Sequence, residues 1–219
     1  MTSILKVDEL QDSSGNLIIK EVANAITIGA SGDTISIPSG ANATGFGGMD
    51  LLATNTITSS TASSAFSSTY ITSTYDMYEF HVVYATPVND DTNLYMYVSS
   101  DNGSSYLTGA IDQMSTRNRP GSTSDQVATT DQDYVWIGSG TGNVTGEATA
   151  GVVQMWNAAS SSMHTYFTLQ TAGKVEADDQ VRSMVGAALY DANTVLNNVK
   201  FAFASGNIAV AKIKLYGVK

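Results

Sequence analysis

Apolar and polar residues alternate with a period of two through most of the chain, the pattern of strands that bury one face. In YEFHVVYATP, Tyr78, Phe80, Val82 and Tyr84 share one face, Glu79, His81 and Val83 share the other, and Pro87 ends the run. LYMYV sets Leu94, Met96 and Val98 against Tyr95 and Tyr97, and Asp101, Asn102 and Gly103 supply the turn that follows. YVWIGSG, GVVQMW, HTYFTLQ, VKFAFA and NIAVAKIKLYGV read as further strands. In ADDQVRSMVGAALYD the period is ambiguous, because Val181, Met184, Val185, Ala188 and Leu189 also fit a helix face with Asp178 or Asp179 as its N-cap. Gly186, the shortness of the run and the strands around it favour a strand. Short strands recurring between turn signals predict an all-β fold, with an antiparallel, jelly-roll-like β-sandwich over residues 45–219.

The first forty residues differ: ILKV, NLIIKEV, AITI and TISI are short apolar clusters separated by the corners SSGN and GASGD. Ile26 and Ile28 before the second corner, and Ile35 and Ile37 after it, form one row that a lone ribbon cannot bury. Residues 1–44 therefore read as a stranded oligomerisation segment that needs partners, most simply copies of itself, with the domain boundary near Thr44. Between residues 56 and 74, 13 of 19 positions are Ser or Thr. This stretch reads either as a flexible linker or as polar strands anchored by Ile57, Phe66, Tyr70 and Ile71.

Composition narrows the function. Charged residues make up 14% of the 219, and the polar balance is carried by 51 serines and threonines. A net charge of −10 speaks against binding to nucleic acid or to an anionic membrane. With no cysteine there is no disulfide, thiol nucleophile or thiolate metal site. No apolar run is long enough for a membrane span, and the N-terminus lacks the pattern of a signal peptide.

Candidate chemistry is sparse. His81 and His164 lack paired-ligand spacing and read as surface or interface residues. The acidic clusters at 89–91, 131–133 and 176–179 read as solvated loops, because the Asp101 turn lacks the alternating carboxylates and terminal Glu of a calcium loop. GSGTGN at 138–143 lacks the Lys-Ser/Thr ending of a phosphate loop and no helix follows it. No catalytic residue, metal ligand or cofactor is assigned. Arg117 and Arg119 fall in TRNRPGSTSD, which reads as a loop. Tyr95, Tyr97, Tyr106, Trp136 and Trp156 are aromatics with polar tips, explained mostly by core packing, with some reserved for a binding surface.

The segments ILKVDELQDSSGNLIIKE and ITIGASGDTISIPSGA, the central YDMYEFHVVYATPVNDDTNLYMYVSSDNGSSY and the ending FAFASGNIAVAKIKLYGVK resemble tail-fibre and related virion appendage proteins of marine tailed bacteriophages, cyanophages among them. The resemblance implies a non-enzymatic virion structural protein, a trimeric fibre or short appendage. Its N-terminal segment would attach to other virion proteins and its sandwich would face outward toward a host glycan or protein. Loops at one end of the sandwich would make that contact, with Tyr106, Arg117 and Arg119 as candidates. The alternatives are a capsid-decorating head fibre without a receptor role, a soluble carbohydrate-binding module and a polysaccharide-degrading tailspike. The unburied Ile segment speaks against the free module, and the short length against the tailspike.

Overall fold

The computed structural model describes residues 9–11, 13–15, 17–22, 25–28, 48–121, 124–175 and 180–219. The chain divides into two compact units, Met1–Phe46 and Gly47–Lys219. In the first, β1 (Glu9–Gln11), β2 (Leu17–Val22) and β3 (Ala25–Ile28) form an antiparallel meander in that order. Its register aligns Leu10 with Ile19 and Ile19 with Ile28, all three more than 40% exposed. Ile26 lies in β3, and Ile35 and Ile37 lie outside the described residues.

The second unit contains β4 (Met49–Ile57), β5 (Ser64–Phe66), β6 (Met77–Pro87), β7 (Thr92–Ser99), β8 (Ile111–Asn118) and β9 (Asp125–Gln132). These are followed by β10 (Val135–Thr141), β11 (Thr149–Trp156), β12 (Thr165–Val175), β13 (Gln180–Tyr190), β14 (Asn198–Phe203) and β15 (Ile208–Val218). They make two antiparallel sheets, a smaller one ordered β10-β7-β14-β5 and a larger one ordered β4-β15-β6-β11-β12-β13-β8-β9. The expected all-β sandwich is present, and the ambiguous segment at 180–190 is a strand.

Alternation along each strand delivers the core between the sheets. Phe66 and Phe201 from the smaller sheet meet Phe80 from the larger, with ring centroids 5.4 to 6.3 Å apart. Each fully buried ring contributes about 1.5–3 kcal/mol of transfer free energy. Polar side chains also join the layers. The amide of Gln113 on β8 accepts from the backbone N of Trp136 on β10 (2.7 Å) and donates to its carbonyl (2.8 Å), pairing with it as a neighbouring strand would. Thr171 of β12 donates to Ile137 O, again across the layers.

Three expectations need correction. Tyr84 does not share the inner face with Tyr78, Phe80 and Val82, because a bulge at Val83 shifts the register against β15 and turns Ala85 and Pro87 inward instead. Of the two readings of the Ser/Thr-rich stretch the stranded one holds, since it contains β5, but of its expected anchors Phe66 and Ile71 are buried while Tyr70 is exposed. The Tyr78 hydroxyl fixes the stretch by accepting from Thr72 N and donating to Thr72 O, both at 2.6 Å. Finally, the segment taken as a loop is strand at its start, because β8 runs to Asn118 and contains Arg117.

Candidate functional site

The outer face of the smaller sheet carries a continuous row of half-buried aromatics. Period-two alternation in β7 sends Leu94, Met96 and Val98 inward and Tyr95 and Tyr97 outward. Tyr134, just before β10, and Trp136 within it are likewise two residues apart, and Trp136 pairs across the strands with Tyr95. Tyr95 and Tyr134 stack with centroids 3.7 Å apart and planes 12° apart, and Trp136 meets Tyr95 edge-on at 6.4 Å. Tyr97 contacts Tyr134 at 5.9 Å and Tyr106 at 6.3 Å. The Lys200 ammonium sits 3.8 Å from the Tyr106 ring centroid and 4.6 Å from that of Tyr97.

Burial shapes the ionisation of this row. It pushes the Tyr97 and Tyr106 hydroxyls up, and with the Tyr95 hydroxyl as the next cause it pushes Tyr134 up to about 12. Burial also lowers Lys200. The row is thus an aromatic surface of rings set mostly edge-on to one another, with polar tips suited to contact and hydrogen bonding with a partner.

Of the candidates picked from the sequence, Tyr106 and Arg119 lie in the segments that follow β7 and β8, whereas Arg117 lies within β8; Tyr106 and Arg117 stand at the two ends of the row. Tyr106 comes from the segment after β7, and its hydroxyl donates to Asn198 Oδ1 at 3.1 Å. The turn before it is set by positive φ at Asn102 and Gly103 and by Asp101, whose carboxylate accepts from Ser99 Oγ, Ser105 N and Ser105 Oγ. Those bonds, the Ser105 hydroxyl first, hold Asp101 down to about 2. Arg117 lies within β8, with its guanidinium 5.0 Å from the Trp136 ring centroid. Arg119 follows the end of β8, and both arginines line a cavity of about 190 Å³ with Asn118, Asp125 and Arg182.

Sequence reasoning placed Tyr95 and Tyr97 on one face of a strand, with Tyr106 on its turn, but did not join them to Trp136, and it missed Tyr134, Lys200 and Arg182. The i, i+2 spacings Tyr95/Tyr97 and Tyr134/Trp136 are visible in the chain. What they lack is the pairing of β7 with β10, strands separated by two others in sequence.

Other polar features have structural partners. The glycine-rich segment at 138–143 holds an anion of the protein's own: a Cβ on Gly142 would lie 1.9 Å from Glu147 Oε2, which accepts from Val144 N. Lys174 Nζ is 3.7 Å from the other oxygen of this buried carboxylate. On the outer face of the larger sheet, burial pushes the Glu79 carboxyl up, but hydrogen bonds from Gln154 (2.8 Å) and His81 (2.5 Å) outweigh it and leave it low. His81 packs against Tyr216 at 4.7 Å, and His164 is 3.7 Å from Asp191. Trp156 and Tyr166 pair across β11 and β12 on this same face and are exposed, not core. Among the described residues no group of three or more His, Asp or Glu is arranged to hold a metal ion.

No family model matches the chain, and no curated protein or solved structure matches it significantly.

Proposed function

We propose that the chain is a non-enzymatic structural protein of a phage virion, a trimeric tail fibre or short appendage. Its first unit joins the particle and its own copies, and its sandwich contacts the host surface. The observation that carries the contact role is the aromatic row from Tyr106 through Tyr97, Tyr134 and Tyr95 to Trp136, flanked by Lys200 and Arg117. Large rigid rings with polar tips give contact area at small entropic cost, and repetition around a trimer multiplies a weak site by avidity. The meander with its exposed Leu10, Ile19 and Ile28 row supports the assembly role, since three short strands with one uncovered apolar row gain from association.

A soluble carbohydrate-binding module is the second reading, favoured by the same aromatic row. Virions carrying Tyr95→Ala with Trp136→Ala separate the two. The proposed role expects normal particle yield and host adsorption reduced by about tenfold or more, as loss of about 1.4 kcal/mol or more implies. A chain absent from purified particles would favour the free module.

A further inference from the structure

On the outer face of the larger sheet, strand register gathers four side chains into a two-by-two patch. Trp156 of β11 lies opposite Tyr166 of β12, and two residues along each strand Gln154 lies opposite Thr168, so two rings stand directly beside an amide and a hydroxyl. Strands about 4.8 Å apart, with a rise of about 3.3 Å per residue, put all four within reach of one small ligand. Trp156 is 40% exposed and Tyr166 45%, so neither ring is used by the core. Two hollows adjoin the patch. One, of about 450 Å³, is lined by Tyr166, Met114 and the small Ala187, which pairs with both Thr168 and Met114. The other, of about 560 Å³, is lined by Glu79, Gln154, Thr168 and Gln170.

The polar side of the patch is oriented by the protein itself. Thr168 Oγ1 donates to Gln154 Oε1 and Gln154 Nε2 donates to Glu79 Oε2, both at 2.8 Å, while His81, packed against Tyr216, holds the other Glu79 oxygen. Side chains fixed in this way lose little further freedom on binding. The bonds leave a second N–H on Gln154 and lone pairs on Thr168 and Glu79 for a ligand.

A sugar ring has an apolar C–H face and a rim of hydroxyls, the complement of aromatic rings set beside oriented donors and acceptors. Charge narrows the class. Glu79 and Asp112 are the only charged side chains lining the two hollows, and as carboxylates they repel uronates and sulfated sugars. A second copy of this chain, with its net charge of −10, meets the same repulsion.

We infer that this face binds a neutral oligosaccharide, with Trp156 and Tyr166 packing on its rings and Gln154 and Thr168 hydrogen-bonding its hydroxyls. The site lies on the other sheet from the aromatic row of Tyr95 and Trp136 and does not depend on that row's role.

The full-length chain tests this by calorimetry with dextran-, cellulose- and laminarin-derived oligosaccharides, and with polygalacturonate oligosaccharides as the acidic control. At least one neutral oligosaccharide should bind, and polygalacturonate should not. Trp156→Ala and Tyr166→Ala should each weaken that site tenfold or more and Thr168→Val severalfold, whereas the site should persist in Trp136→Ala. Exposed substitutions of this kind should leave urea midpoints close to wild type, which separates lost binding from lost fold. Trp136→Phe leaves Trp156 as the one tryptophan of the chain, and its fluorescence should change when the bound oligosaccharide is added. No binding of any neutral oligosaccharide, equal binding of polygalacturonate, a site that persists in Trp156→Ala, or an unresponsive Trp156 fluorescence each overturns the inference. A change of oligomeric mass in Trp156→Ala, read by light scattering, would make the face a contact between copies and overturn it as well.

Discussion

Gly217 lies beneath an aromatic ring: a Cβ there would come within 2.5 to 2.7 Å of the Tyr75 ring, whose hydroxyl donates to Asp50 Oδ2 at 3.0 Å. Gly217→Ala must push that ring away and should cost about 1–3 kcal/mol in urea denaturation. In a Tyr75→Ala background the cost should vanish, and a cost that persists would locate the strain elsewhere. At Asp101 the sign follows from its depressed folded-state pKa of about 2 against an ordinary 3.8. Its contribution to stability is present above about pH 4 and is lost as pH falls through 2. Comparing urea midpoints of wild type and Asp101→Asn from pH 6 to pH 2 should show the gap between them closing at the acid end. Single residues were only partly legible in the sequence. Asp101 and Gly103 announce a turn by type alone, whereas Tyr134 and Arg182 acquire meaning from neighbours far away along the chain.

At the scale of elements, alternation was sufficient wherever a strand runs straight. β7 matches its pattern residue for residue, while β6 departs after Val82 because the bulge at Val83 depends on its partners rather than on its own composition. β13 shows the same limit from the other side. Its apolar spacing suits a helix, yet Gly186 sits where a Cβ would be 2.4 Å from Ser115 Cβ, a closeness that belongs to its pairing with β8. In the N-terminal unit the cross-strand row of Leu10, Ile19 and Ile28 makes a direct prediction. Light scattering should give about three times the 23.0 kDa chain mass for the wild type and about one for Ile19→Asp with Ile28→Asp. A monomeric wild type would remove the trimer.

For the whole sandwich, the chain enters each strand of the smaller sheet from the larger and leaves it for the larger again, so no two strands adjacent in sequence pair within the smaller sheet. The larger sheet has a comparable dependence: β15 lies between β4 and β6 and hydrogen-bonds to both. Deleting residues 208–219 should therefore abolish cooperative unfolding of the sandwich, as followed by near-ultraviolet circular dichroism, instead of trimming one edge. Retained cooperativity would mean that β4 and β6 close up without it.

The place of β15 also sets a clock. On a ribosome adding roughly 5–20 residues per second, β4 waits from Ile57 until Ile208 for the strand that joins it to the sheet, on the order of ten seconds or longer. Throughout that interval the open edges of β4 and β6 are available to any other extended chain nearby, including a sister chain on the same message. The stretch that follows β4 is hydroxyl-rich, 13 of the 19 residues from 56 to 74 being Ser or Thr, so it adds little apolar surface to the growing chain during that wait.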